Sequence, residues 1–365
     1  MRDTMERNVG GWIRENKVWI LLALIVTFGF ILRVYALGSP VMWIDETISS
    51  LAMQNILEKG IPQFDSGLFY GRALVFHYIS ALFLWLIGGD FGPRFLSVLI
   101  GTGTIVLAFF AAREFSWKKN EKNDVAGLVA ALFTAVLFIE IVYSRQARFY
   151  QMFQFLFFLT LWFLYKFRTE KGRKYSWLAS VSFILLVDTH IAGIVLVPFL
   201  IYVFGWERRD WKLLIIPAIV SVYYLQGLLN VAGSSGTALA SQYAGGYYSG
   251  IFYYLRAFAI FSLIGLIPAW IWNKRMTLIL VLPSLVLLGG VLINRLYGLR
   301  YVYFVFLVAP VLIGVLFSFI YRERKWLFFI LLILTLVYPS NAFFSYGRMT
   351  MVYPQNFDFE TSSEP

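Results

Sequence analysis

The chain has 365 residues, of which 60% are hydrophobic, 19% aromatic and 14% charged, with a formal net charge of +11 and a mean hydropathy of +0.72. That balance excludes a soluble domain with one core and describes an all-α polytopic membrane protein. The absence of cysteine excludes disulfides, thiolate metal sites and a cysteine nucleophile, and His77 and His190 are too few for a histidine-rich metal centre.

Residues 1–17 are polar and carry Arg2, Arg7, Arg14 and Lys17. Val18–Leu37 then supplies about 20 mostly apolar residues, the length a bilayer requires, whereas the apolar core of a cleaved signal peptide is only about 7–15 residues. The segment is therefore read as a retained span. Further apolar runs follow at Phe91–Ala112, Val125–Tyr143, Phe149–Tyr165, Tyr175–Val187, Ile191–Phe204, Trp211–Asn230, Ile251–Trp272, Met276–Ile293, Tyr301–Tyr321 and Trp326–Phe344.

The run Ala73–Ile87 is too short for a standard span, and charge decides how to read it. If it stays on one surface, the segments 2–17, 113–124, 166–174, 206–212, 273–275 and 322–325 all lie on the N-terminal side. Together they hold 21 of the 31 Lys and Arg and 10 of the 20 Asp and Glu. Basic residues near span ends mark the cytoplasmic side. The expectation is eleven spans, N-terminus inside, C-terminus outside, in a cell membrane. A catalytic module would cover 1–320, with a first external loop over 38–90, and the last span and a short tail would fill 321–365 without a separate soluble domain.

Two interfacial helices are expected in that loop. One is capped by Asp45 and runs to about Lys59, with Ile48, Leu51, Ala52 and Ile56 on its apolar face and Ser49, Ser50, Gln54 and Glu58 opposite. Ala73–Ile87 is the second, more deeply sunk. The runs on either side of Asp188-Thr189-His190 are about 13–14 residues, so their turn should lie below the outer surface. Later, about Val231–Gly250, the Gly, Ser and Ala content gives no helical or strand periodicity, and a mobile external loop is expected.

Ionisable groups at span ends are costly unless they face protein or water. On the outer side these are Arg33, Glu140, Arg145, Arg148, Asp188, His190, Arg295 and Arg300. A ring of arginines around the adjacent carboxylates Asp45 and Glu46 suits a phosphate beside a hydroxyl to be activated. Simpler readings exist for each: Asp45 as a helix cap, Glu46 as a partner of the helix dipole, Arg145 and Arg148 as snorkelling anchors, His77 and His190 as packing residues.

Leu32-Arg33-Val34-Tyr35, Met42-Trp43-Ile44-Asp45-Glu46, Leu68-Phe69-Tyr70-Gly71-Arg72, Tyr143-Ser144-Arg145-Gln146-Ala147-Arg148-Phe149-Tyr150 and Leu299-Arg300-Tyr301 resemble the membrane glycosyltransferases of the GT-C superfamily. The branch most similar is that of protein O-mannosyltransferases and aminoarabinose transferases, and the resemblance covers about residues 20–320. It implies a mannosyltransferase-like enzyme of cell-envelope glycosylation that takes its sugar from a polyprenyl phosphate on the external face, with Asp45 and Glu46 catalytic. Arg72, Arg145, Arg148, Tyr150, His190, Arg295 and Arg300 would bind substrate or phosphate, and Arg33, His77, Glu140 and Asp188 are secondary candidates. Relatives carry a further acidic residue where this chain has Tyr150 and Gln151, which weakens a metal-dependent reading: no cofactor is firmly implied, and a divalent metal stays open but without support.

The implied partners are a polyprenyl-phosphate-linked sugar, an acceptor that is lipid, glycan or protein, and membrane lipids, with no nucleic acid. A leaving group that is already anionic needs cations to hold it and a base for the acceptor's proton, and attack opposite the phosphate inverts the anomeric centre. A transporter or flippase for lipid-linked glycans stays open, as does a polysaccharide polymerase or ligase. A carboxylate pair in a surface loop, away from the bilayer midplane, favours an enzyme over alternating access.

Overall fold

The computed structural model describes residues 2–118, 121–170, 172–207, 210–222, 224, 239–293 and 299–337, with side chains from residue 15 onward except 239–257, 291–299 and 337. Among the described residues the regular elements are all helices, joined by turns and loops, with one antiparallel bridge between Gln63 and Phe69. The helices are α1 (Arg2–Val34), α2 (Ile44–Lys59), α3 (Leu74–Ile87), α4 (Gly92–Arg113), α5 (Asp124–Val136), α6 (Phe138–Tyr143), α7 (Tyr150–Glu170) and α8 (Arg173–Thr189). After α8 come a 310 turn (Ile191–Leu196), α9 (Val197–Leu200), a π-helical turn (Ile201–Glu207) and α10 (Trp211–Val222). The chain ends with α11 (Leu239–Ile293), α12 (Leu299–Tyr303), α13 (Val308–Glu323) and α14 (Lys325–Val337).

Three stretches are long and apolar enough to cross a membrane: Glu15–Val34, Gly92–Arg113 and Phe258–Gly290. The last is two helices joined at Asn273, whose non-helical backbone (φ −150°, ψ 74°) breaks α11. The Asn273 side chain accepts from Met276 N at 3.0 Å and so caps the second half. In the core, α13 packs between α5 and α11. Gly314 lies against the Ala126 backbone and Gly265 against the Leu312 backbone, so a Cβ at either would collide. The helices approach as closely as small residues permit in membrane bundles.

The basic segments gather at one end of the bundle. Arg113 lies over Trp19, Lys166 pairs with Glu114 at 2.8 Å, and Asn273 donates to Glu114 O and Tyr165 OH, each at 2.8 Å. Arg168 pairs with Glu207, and Arg322 lies over Trp117 and Trp272. Helix α3 stays at the other end. Its first residues are tied to the finish of α8, with Ala73 N donating to Asp188 O and Val75 N to Asp188 Oδ2, and after Ile87 the chain turns directly into α4.

Several sequence expectations need correction. Asp45 does not cap α2: Trp43 is the N-cap residue and makes no side-chain capping bond, while Asp45 sits in the first turn. The buried face of α2 carries Glu46, Ser49, Ala52, Met53, Asn55 and Ile56, because Glu46 and Ser49 find polar partners inside, and Ile44, Leu51 and Leu57 point outward. The run 125–143 is broken at Leu137, whose extended backbone (φ −62°, ψ 128°) separates α5 from α6. Helix α8 extends two residues beyond each end of the expected run, to Arg173–Thr189. Of the loop expected at 231–250, residues 239–250 begin α11 and the remainder lie outside the described residues.

Candidate functional site

The site is built where α2, the loop between α6 and α7, and α12 meet. Asp45 is about one-quarter exposed, in the first turn of α2, where a carboxylate also suits the helix dipole. Its Oδ2 accepts from the Tyr150 hydroxyl at 3.0 Å and faces Arg300 Nη1 at 3.4 Å and Arg148 Nη2 at 3.6 Å. Three residues from two segments far from Asp45 in sequence thus converge on one carboxylate oxygen.

Arg148 is fixed from several sides. Its Nη1 donates to Ser49 Oγ at 2.7 Å, Asp45 O at 3.0 Å and Tyr70 OH at 3.1 Å, and its guanidinium lies 4.8 Å from the Phe149 ring centroid and 5.3 Å from that of Tyr150. Buried His77 supports the arrangement at one remove. Its Nδ1 donates to Ala73 O at 2.8 Å, and its ring meets Tyr70 edge-on at 5.2 Å.

Glu46 belongs to a separate pair. It is buried, receives two parallel bonds from Arg94 (Nε to Oε1 at 2.9 Å, Nη2 to Oε2 at 3.1 Å), and accepts from Ala147 N at 2.7 Å. Arg94 also donates to Leu37 O and Pro40 O, both at 2.9 Å. This assembly joins the α1–α2 connection, the start of α4 and the α6–α7 loop, and so holds Asp45 in register with Arg148.

Other candidates are placed away from Asp45. Arg33 is fully buried and donates to Gly29 O, Thr134 O and Ala135 O, the last two being carbonyls that the break at Leu137 leaves without helical partners. Arg145 donates to Leu32 O and Ala36 O and ties off α1. Glu140 accepts from Gln154 Nε2 at 3.0 Å and Tyr303 OH at 3.1 Å in a buried network that continues to Gln151 and Thr104. Asp188 serves the N-terminus of α3.

His190 lies nearer. Its Nδ1 accepts from Ala192 N at 3.1 Å, which leaves Nε2 to carry the proton of the neutral ring, and Phe149, Phe153, Tyr301 and Phe304 surround it. Arg72, Arg148 and Arg300 are all within electrostatic range of it. Arg72 is exposed and has no ion pair among the described residues. Arg295 lies outside them.

Sequence reading missed Arg94, Ser49 and Tyr70 as partners. The one available signal was Arg94, a cation at the head of an apolar run after Gly92-Pro93. A divalent cation does not fit the groups around Asp45, which meets two guanidiniums and a phenol, and no three His, Cys, Asp or Glu residues are grouped to hold a metal among the described residues.

The architecture has known counterparts. The Archaeoglobus fulgidus oligosaccharyltransferase AglB, solved with an inhibitory peptide and a dolichol-phosphate, is similar with a TM-score of 0.61 at 13% identity over 93% of this chain and 56% of that one. ArnT from Cupriavidus metallidurans, solved bound to undecaprenyl phosphate, is similar with a TM-score of 0.61 at 16% identity over 89% of this chain and 63% of that one. The chain has the GT-C fold. It spans about three-fifths of the length of these structures, and identity this low carries the fold alone. An uncharacterized protein of Aquifex aeolicus is 28% identical over 219 residues, covering 58% of this chain and 42% of that protein. No family model matches the sequence.

Proposed function

We propose that the protein is an integral membrane glycosyltransferase that moves a sugar from a polyprenyl-phosphate donor to an acceptor hydroxyl on the external face. The observation that carries this is the partly exposed Asp45 carboxylate set against Arg148, Arg300 and Tyr150. It joins a group able to take a proton to cations able to hold a phosphate, within a fold whose solved examples include proteins bound to dolichol-phosphate and undecaprenyl phosphate.

In this reading Asp45 accepts the acceptor hydroxyl's proton as the oxygen attacks the anomeric carbon from the face opposite the phosphate. The bond from that carbon to the phosphate oxygen breaks with its electron pair on the oxygen, polyprenyl phosphate leaves, and the configuration inverts. Arg148 and Arg300 stabilise the growing negative charge, and His190, with its proton on Nε2, adds a neutral donor nearby. Glu46 acts by positioning, through Arg94 and Ala147. The end of the bundle carrying the basic segments faces the cytoplasm, and Asp45 faces outward.

The test is turnover. Purified protein is offered a panel of polyprenyl phosphates carrying different labelled sugars, with native membrane extract as acceptor. Transfer from at least one, with release of polyprenyl phosphate, supports the reading; diphosphate-linked glycans as the only substrates would replace it with a polymerase or ligase, and movement of lipid without covalent transfer with a flippase.

A further inference from the structure

The two halves of α11 that meet at Asn273 each turn one face into the bundle. In the first half Gly265 lies against the Leu312 backbone and Ala269 is fully buried; in the second Met276, Leu280 and Leu287 are buried. The remaining faces leave a groove of about 530 Å³, with Leu266, Trp270 and Ile271 on one side and Leu278, Val281 and Leu282 on the other. Ile271 and Leu285, which also line it, are 72% and 58% exposed, so the groove is open along one side.

Its walls are apolar and one end is cationic. Thr277, the polar member of the wall, donates its hydroxyl to Asn273 O at 3.0 Å. Lys274 opens the second half, and Lys274, Leu278, Val281 and Leu285 follow one another at helical spacing, so the lysine heads a stripe that lines the groove. Its Nζ lies 4.7 Å from the centroid of the Trp270 ring in the opposite wall. Arg275 is the next residue, one turn before Leu278. Both cations are exposed, and neither has an ion pair among the described residues. A lysine held over a ring at the edge of an apolar groove keeps its stem on the groove and its charge at the interface.

These features select the occupant. A second copy related by a two-fold axis in the same membrane would set Lys274 and Arg275 against the same cations of its mate. The donor of the proposed reaction has its phosphate at Asp45, whereas Asn273 contacts Glu114 and Tyr165 among the basic segments at the other end of the bundle. An anionic phospholipid satisfies both walls and rim. From Lys274 to Leu285 the helix rises about 16 Å, roughly half of a 30 Å hydrocarbon core and so the depth of one leaflet.

We infer that this groove is a binding site for an anionic phospholipid of the leaflet at the basic end, with an acyl chain between the two halves of α11 and the headgroup phosphate on Lys274 and Arg275. The bound chain braces the break at Asn273. The site is separate from Asp45 and does not depend on the chemistry there.

The experiment titrates delipidated, detergent-purified protein with dioleoyl phosphatidylglycerol or dioleoyl phosphatidylcholine and counts bound lipid by native mass spectrometry. Wild type, Lys274→Gln, Lys274→Gln/Arg275→Gln and Leu282→Trp are compared. Wild type is expected to hold one phosphatidylglycerol about twentyfold more tightly than phosphatidylcholine, since each basic residue near a membrane surface contributes about fivefold. Lys274→Gln should lower that preference about fivefold and the double variant should remove it. Leu282→Trp fills the groove and should weaken both lipids by about tenfold. Thermal melts verify that each variant is folded, and Leu278→Phe takes the place of Leu282→Trp if that variant does not fold.

Equal affinity of wild type for the two lipids, a preference that survives in the double variant, or binding that Leu282→Trp leaves unchanged overturns the site. One-for-one displacement of phosphatidylglycerol by undecaprenyl phosphate would overturn it in favour of the donor lipid, and a dimer that Leu282→Trp converts to monomer would do so in favour of a second copy.

Discussion

Arg94 closes on Glu46 with two parallel bonds in a buried setting, at 2.9 and 3.1 Å, and both groups are nearly inaccessible. Removing one member of such a pair leaves the other charge buried and uncompensated, which typically costs about 3–5 kcal/mol. Arg94→Ala should accordingly lower the thermal midpoint of the detergent-solubilised protein severely, by more than any substitution at Asp45. Glu46→Gln should be milder, because the amide still accepts one bond from Arg94. Equal melting of Arg94→Ala and wild type would show that the pair does not organise the loop.

Tyr150 supplies the well-formed bond to Asp45. Tyr150→Phe keeps the ring under Arg148 and deletes only the hydroxyl. A hydrogen bond to a charged group contributes about 1.5–3 kcal/mol, so turnover should fall by roughly tenfold to a hundredfold if the bond acts in the transition state. The melting temperature should change little. Loss of turnover together with loss of fold would assign the hydroxyl a packing role instead.

Helix α3 begins at the finish of α8 and ends at the start of α4, so both its ends lie at the end of the bundle away from the basic segments. Single cysteines at Asp65 and Lys118 test this in intact cells, since the protein has no other cysteine. Asp65→Cys should react with an impermeant thiol reagent from outside, and Lys118→Cys only after permeabilisation. The reverse pattern would invert the orientation, and reaction of both from outside would mean that a segment between them does not cross as described.

Asn273 makes the kink in α11 and also donates to Glu114 O and Tyr165 OH. Asn273→Ala removes a helix cap and two tertiary bonds. A lost cap alone costs about 0.5–2 kcal/mol. The variant should melt measurably lower while keeping the affinity of the distant Asp45 site for undecaprenyl phosphate. A large change in affinity with an unchanged melt would contradict a purely structural role.

Much of this fold was legible because hydrophobic length and charge asymmetry are local properties of a membrane chain. The long apolar helices at Glu15–Val34 and Gly92–Arg113, the short helix Leu74–Ile87 and the grouping of basic segments at one end all follow from them. The resemblance of their motifs suggested that Asp45 and Arg148 lie together, and their side chains face each other at 3.6 Å. What stayed hidden depends on contacts distant in sequence. Nothing near Arg33 indicates that it serves carbonyls 101 and 102 residues away, at a helix break that has neither Pro nor Gly to announce it. Likewise Asp188 reads as a buried charge near a cavity, and only the packed structure gives it Val75 N, 113 residues away, as its partner. For Glu46, sequence adjacency to Asp45 suggested a shared role, while their side chains occupy opposite settings.

The central claim is that Asp45 is the base in sugar transfer, and single-turnover transfer by Asp45→Asn tests it most directly. Asparagine keeps the size of the side chain and cannot take the acceptor's proton, so the rate should fall by the roughly 10²–10⁴-fold typical of lost general-base catalysis, with no loss of undecaprenyl phosphate binding. Transfer at the wild-type rate by folded, lipid-binding Asp45→Asn would contradict the account.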